Sequence, residues 1–178
     1  MNFSEYVAYF ENAARNNRAI SHLVNGRKSF RRIDIEEVIT GLKTDLDAGI
    51  SLFLESPEIR AYDGLSDNPR KLITGAILVM RNSEKGDFED QIKALNDTME
   101  VCEQLLAKIY NDARESLQNK NHPWKLRGFD PNSVSFEKVG PVFGYYYGWR
   151  MQFTINQLFT NRLILNNDDW YTEEKSSI

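Results

Sequence analysis

The chain opens with apolar residues at helical spacing. Between Ser4 and about Asn17 they recur every three or four positions, with Ser4 placed to cap the amino end, which predicts a first helix. Further on, Asp34 with Glu37 three residues later resembles a capping box, and it predicts a second short helix through Leu42. The apolar residues of the first predicted helix are Tyr6, Val7, Phe10, Ala13 and Ala14.

The spacing of apolar residues then changes to two, which is the period of a β-strand. Residues 50–55 alternate in this way, and residues 59–62 predict a weaker second strand, closed by the turn-forming run 63–69. The segment from Leu72 to Met80 is apolar on both faces. It predicts a strand covered on both sides, and helices are the expected cover.

The strongest single pattern runs from Asp87 to about Leu117, where apolar residues follow one another in steps of four and three. It predicts one long amphipathic helix, roughly 45 Å at 1.5 Å per residue. The same pattern suits a coiled-coil seam, but in a chain that also carries strands we favour packing against a sheet. The stripe consists of Phe88, Ile92, Leu95, Met99, Cys102, Leu106, Ile109 and Ala113.

The last third of the chain returns to strands. Residues 147–156 alternate most regularly, with an apolar face from Tyr147 to Ile155, which predicts an antiparallel-type strand that is dry on one side. The whole pattern predicts an α+β fold: one mixed, largely antiparallel sheet packed against the long helix, with additional N-terminal helices. We expect residues 1–165 to form a single domain and the polar stretch 166–178 to be a C-terminal tail ordered by subunit contacts.

Composition and charge narrow the functions that this predicted fold could have. Among 178 residues, 41% are hydrophobic and 12% aromatic, which is typical of a folded domain. The formal net charge of -4 disfavours broad contact with a phosphate backbone. The densest basic cluster, Arg27, Lys28, Arg31 and Arg32, is expected to be a solvated loop, with an anion or nucleic-acid contact as the alternative. No stretch approaches the roughly 20 apolar residues of a membrane span, so we expect a protein that is intracellular or is assembled inside a cell.

The sequence predicts no catalytic centre, no metal site and no cofactor. His22 and His122 lack ligand spacing, and Cys102 falls on the apolar stripe of the long helix, where a thiol is inert. Glycine motifs that cradle phosphate are not present. The carboxylate pairs have unspecific spacing and fit turns or the tail: Asp45 with Asp47, Asp63 with Asp67, and Asp168 with Asp169.

The sequence supports contacts with other proteins better than it supports catalysis or metal binding. The segment from Gly140 to Tyr147 suits either a mobile binding loop with rigid aromatic contacts or a hairpin whose aromatic residues complete the core. Further expected contact elements are the loop 63–69, the basic loop 27–32 and the tail from Asn166. The predicted interface residues are Arg27, Lys28, Arg31, Arg32, Phe143, Tyr145, Tyr146, Asp168, Asp169 and Trp170.

The order of elements from Ile33 to Gln157, and most of all the closing strand from Tyr147 to Ile155, resembles tail-completion and tail-terminator-like neck proteins, the head-tail connectors of tailed bacteriophages. The resemblance implies a non-enzymatic virion protein, assembled in the cytoplasm of a bacterial host. It implies a homo-oligomeric ring, commonly of six subunits, that contacts other virion proteins. DNA would pass through its channel as cargo only.

Two other classes of protein stay open. A soluble bacterial adaptor would use the aromatic hairpin to engage a protein partner. A small acid-dependent enzyme would require Asp45, Asp47 and Asp63 to converge in one cleft.

Overall fold

The computed structural model describes residues 1–23, 25–33, 49–62, 69–142 and 144–158. These residues form two helices and a six-stranded mixed sheet, which confirms the α+β class. The elements are α1 (Phe3–Asn16), β1 (Phe30–Ile33), β2 (Ile50–Glu55), β3 (Glu58–Tyr62), β4 (Arg70–Asn82), α2 (Phe88–Gln118), β5 (Phe129–Val142) and β6 (Tyr146–Leu158). The predicted helix from Asp34 through Leu42 lies outside the described residues.

The sheet has the order β1-β2-β4-β6-β5, with β3 also paired to β4. Only β1 and β2 run parallel among these pairs, and the others are antiparallel. Strands β2 and β3 occupy successive stretches of the same edge of β4, because β2 pairs with residues 77–81 and β3 with residues 70–74. Pro57 lies between β2 and β3, where its missing N–H does not interrupt a ladder.

Both helices pack on one face of the sheet. The predicted alternation in β6 is confirmed, since Met151, Phe153 and Ile155 are buried there against the helices. The opposite face carries a second, smaller apolar cluster of Ile33, Phe53, Met80 and Tyr146. Strand β4 is therefore buried on both sides as predicted, but within the described part of the chain the helices cover only one of them.

Helix α1 begins at Phe3, and its cap lies two residues before the predicted cap, Ser4. Asn2 caps the helix: its side chain accepts from the Glu5 amide at 2.8 Å, and the Glu5 carboxylate accepts from the Asn2 amide at 2.8 Å. This reciprocal pair is a capping box, which satisfies two amides at the helix end. The aromatic residues Tyr6, Tyr9 and Phe10 are fully buried, so this short helix supplies much of the core.

Helix α2 is confirmed as one long helix, but its buried face differs from the predicted stripe. Cys102, Ile109 and Ala113 are buried, whereas Phe88 and Ile92 at the start of the stripe are 75% and 60% exposed. A repeat of 3.5 residues drifts by about 20° per heptad around a straight helix with 3.6 residues per turn. Over the length of α2 the stripe therefore rotates off the sheet. The residues buried instead include Ala94, Thr98, Val101 and Leu105.

Candidate functional site: assembly surfaces and a basic cavity

The predicted basic loop is partly a strand. Arg31 and Arg32 lie in β1, which pairs with β2, so successive side chains point to opposite faces of the sheet. Arg32 lies 5.9 Å from the centre of the Phe3 ring, and the Arg27 guanidinium donates to the Ile50 carbonyl at 3.4 Å. Lys28 is exposed. The four cations therefore do not form one patch, and the prediction of a loop is wrong for Arg31 and Arg32.

The tyrosines of the β5–β6 hairpin divide between core and surface. Tyr146 is buried in the second cluster, beside Phe53 and Met80. Tyr145 is half-buried, with the Lys85 ammonium 5.8 Å from its ring centre, and its carbonyl accepts from the Ser83 amide at 2.9 Å. Tyr146 thus packs as a core residue, while Tyr145 keeps part of its ring at the surface.

Several predicted contact residues lie outside the part of the chain that the structure describes. Phe143 is one of them, and Asp168, Asp169 and Trp170 are the others. The acidic residues Asp45, Asp47, Asp63 and Asp67 lie outside it as well. Their predicted roles stay predictions.

Strand β3 is an exposed surface that sequence reasoning did not single out. Every residue from Glu58 to Tyr62 is exposed, and Ile59 and Tyr62 present apolar area to solvent. No other described strand pairs with its outer edge. The bend that leads into β3 is fixed from β6, because Arg150 donates to both carboxylate oxygens of Glu55 at 2.7 and 2.8 Å. The edge strand is therefore held on a rigid support.

The first turns of α2 form a second exposed surface. Phe88 and Ile92 protrude there, and the helix start is tied to the end of β4 by Arg81, which binds Asp90 and, at 2.6 Å, Asp97. The Glu84 amide and the Arg81 guanidinium hold the pKa of Asp90 below its ordinary value, so this carboxylate stays charged. We call Phe88 and Ile92 the helix surface, and Glu58 to Tyr62 the edge-strand surface.

These two surfaces lie at different ends of β4. The edge-strand surface pairs with residues 70–74, and the helix surface follows the strand end at Asn82. Asn82 follows Thr74 by eight positions of extended chain, roughly 26 Å at about 3.3 Å per residue. The molecule therefore presents two unlike exposed surfaces, each anchored by an ion pair to the same sheet.

A cavity of about 430 Å³ lies where α2, the following loop and the end of β6 meet. Lys120, Lys125 and Arg127 contribute positive charge to its lining, and no Asp or Glu of the described chain is part of that lining. Two of these cations are already engaged: Lys125 binds Glu5 at 2.7 Å, and Arg127 donates to the Ser116 carbonyl at 2.5 Å. The apolar part of the lining is Met1, Trp124 and Leu158.

The thiol of Cys102 is buried in the core between α2 and the sheet, as predicted. Burial raises its pKa to about 12, with a smaller contribution from Glu103, so the thiolate is scarce at neutral pH. This cysteine is a packing residue.

No protein-family model and no curated protein sequence matches the chain. None of the helices in the described residues is long and apolar enough to cross a membrane.

Proposed function

We propose that this chain is a structural subunit of a protein assembly, and specifically a ring-forming connector of the tail-terminator type between the head and tail of a bacteriophage. The observation that supports the proposal most is the edge-strand surface. A strand exposed along its whole length adds nothing to the core of its own chain, but its apolar side chains offer area that a neighbouring chain can cover.

The second support is that the edge-strand surface and the helix surface differ and lie apart. Closed rings are built from head-to-tail interfaces, in which one surface of each subunit contacts a different surface of the next. A twofold dimer would need one self-complementary surface instead. We propose that the face of the edge-strand surface that carries Ile59 packs on the helix surface of the neighbouring subunit, which would cover Ile59 together with Phe88 and Ile92.

The enzyme alternative requires Asp45, Asp47 and Asp63 to converge in one cleft, and these residues lie outside the described part of the chain. The adaptor alternative shares the exposed surfaces but predicts a monomer or dimer that binds a different protein. Size in solution therefore separates the proposed ring from the adaptor.

Light scattering on the purified full-length chain, over a range of concentrations and with neighbouring gene products absent and then present, tests the proposal. We expect a defined oligomer larger than a dimer, or its formation when those proteins are added. The variants Ile59→Asp and Ile92→Asp should each abolish it, because each places an unpaired charge in one of the two surfaces. Glu103→Asp, at an exposed position elsewhere on α2, is the control that should leave assembly intact.

Mixing the two defective variants distinguishes a head-to-tail interface from a twofold one. In a head-to-tail arrangement Ile59→Asp retains an intact helix surface and Ile92→Asp an intact edge-strand surface, so the mixture should form dimers that cannot close. A chain that stays monomeric with every partner argues against the connector, and a ring that tolerates both substitutions argues against these surfaces.

A further inference from the structure

The last turns of α2 bring two carboxylates and one imidazole together. Asp112 and Glu115 are three residues apart and so lie on one face of the helix, and His122 returns to them from the loop that follows. One ligand atom from each of these three residues lies within 4.8 Å of the other two. The His122 Nε2 and the Glu115 Oε2 are 3.3 Å apart.

This separation suits a shared metal ion. Ligands at about 2.0–2.1 Å from a tetrahedral zinc ion lie roughly 3.3 Å from each other. Glu115 is exposed at the surface of the helix, whereas Asp112 is buried. The cluster therefore has two ligand atoms at the right separation and a third within reach.

The hydrogen bonds to Asp112 orient its carboxylate but use only one of its two oxygens. Tyr9 Oη donates at 2.8 Å and Lys108 Nζ donates at 2.9 Å, and both bonds go to Oδ2. Oδ1 accepts no hydrogen bond from the described residues. Glu115 is arranged in the same way, because Asn111 donates to its Oε1 at 2.9 Å while Oε2 faces His122. Such outer contacts position metal ligands and are a regular feature of metal sites.

The backbone of Trp124 serves either tautomer of His122. With the proton on Nε2, the ring donates toward Glu115 and its Nδ1 accepts from the Trp124 amide at 3.3 Å. With the proton on Nδ1, the ring donates to the Trp124 carbonyl at 3.1 Å and the Nε2 lone pair is available to a cation. A histidine that binds metal through one nitrogen usually donates from the other to a carbonyl or carboxylate. His122 would therefore keep a hydrogen bond to the Trp124 backbone when its Nε2 binds a metal ion.

We infer that Asp112, Glu115 and His122 bind a divalent first-row transition cation, for which Zn²⁺ is the best match. One imidazole and two carboxylates form a mixed nitrogen and oxygen ligand set, which suits Zn²⁺ better than Ca²⁺ or Mg²⁺, the cations that take oxygen ligands. Two carboxylates and the Lys108 ammonium leave the cluster with one negative charge, which favours a cation. Three protein ligands leave a fourth position for water.

The bound cation would join the end of α2 to the loop that lines the basic cavity. His122 is part of that lining, and the nearby Trp124 ring packs edge-on against Tyr9, 5.3 Å between ring centres. A cross-link at this point fixes the loop against both helices. Because the folded chain holds the ligands together and the unfolded chain does not, Zn²⁺ should raise the melting temperature.

Titration of the full-length, metal-free protein with Co²⁺ and then Zn²⁺ tests the site. Tetrahedral Co²⁺ gives intense visible absorption bands, and Zn²⁺ should displace it and abolish them. His122→Ala and Glu115→Gln should each weaken Zn²⁺ binding by at least about 100-fold, more than the usual loss of an outer contact. Tyr9→Phe, which removes only an outer hydrogen bond to Asp112, should weaken it about 10- to 100-fold.

Two matched controls keep the test specific. Glu103→Gln removes an exposed carboxylate from the same helix, and His22→Asn removes the other histidine, so both should retain the Co²⁺ bands. Circular dichroism of each variant separates loss of a ligand from loss of the fold. Absence of Co²⁺ bands in the wild-type protein, or bands that persist in folded His122→Ala, would overturn the assignment.

Discussion

His22 is held as a neutral hydrogen-bond acceptor. The Ser29 amide donates to its Nδ1 at 3.2 Å, and the side chain is buried. Burial is the main reason that its pKa lies below the ordinary 6.5, and Arg15 lowers it further, while Glu11 and a backbone contact with Arg27 oppose the shift. A folded-state pKa below the unfolded value makes the unfolded chain bind more protons between the two values. Stability should therefore fall as the pH drops through 6.5.

We expect urea unfolding of the wild-type protein to show this loss as the pH falls from neutrality through 6.5, with little further contribution from His22 below its folded pKa. His22→Asn removes the titrating group, so the wild type should exceed the variant by most at neutral pH and by less in acid. Parallel stability curves for the two proteins over this range would contradict the assignment of His22 as the titrating group.

The reactivity of the Cys102 thiol gives a second test at the scale of single residues. Because its thiol is buried and its pKa is raised to about 12, it should not react with a disulfide reagent in the native protein at pH 8. Addition of urea beyond the unfolding transition should expose one reactive thiol per chain, matching the one cysteine of the sequence. Rapid labelling without denaturant would mean that α2 leaves the sheet readily.

At the scale of elements, two substitutions test which residue caps α1. The candidates, Asn2 and Ser4, lie two positions apart. Asn2→Ala should reduce the free energy of unfolding by about 1 kcal/mol, the usual cost of losing an amino-terminal cap. Ser4→Ala should be close to neutral, since Ser4 lies within the helix and is exposed. Chemical denaturation of the two variants measures both changes. An equal loss of stability in both variants would contradict the assignment of Asn2 as the cap.

The rotation of the apolar stripe around α2 predicts unequal effects for two isoleucines of the same helix. Ile109→Ala should cost about 2–5 kcal/mol because it leaves a cavity in the core. Ile92→Ala should change stability by no more than about 0.5 kcal/mol in the isolated subunit, because Ile92 is largely exposed. Urea unfolding under conditions in which the chain is monomeric measures both.

Most of the elements were predictable from spacing alone, and the exceptions have physical causes. Strand β1 was missed because its four residues include two arginines, so no apolar alternation develops; its pairing with β2 supplies the stabilisation. The Asp112, Glu115 and His122 cluster was missed because no ligand spacing joins His122 to the helix. The turn after α2 brings them together, and sequence distance does not reveal such a return.

At the scale of the whole molecule, hydrogen exchange should follow the position of each strand in the sheet. Strands β4 and β6 pair along thirteen residues and are covered by the helices, so their amides should exchange slowest. Amides of residues 58–62 should exchange rapidly in the subunit and become protected in the proposed ring. Mass-spectrometric exchange on both forms measures this, and unchanged exchange in a ring would place the contact elsewhere.

The sharing of one edge of β4 by β2 and β3 has a mechanical consequence. A neighbour that pulled on β3 along the strand direction would load the β3–β4 ladder in shear, so that its hydrogen bonds resist together instead of opening one after another. The load would pass into β4 and from there into the longer ladder with β6. Force would thus reach the core through β4, its most extensively paired strand. The exposed strand β3 would transmit this force without itself being part of the core.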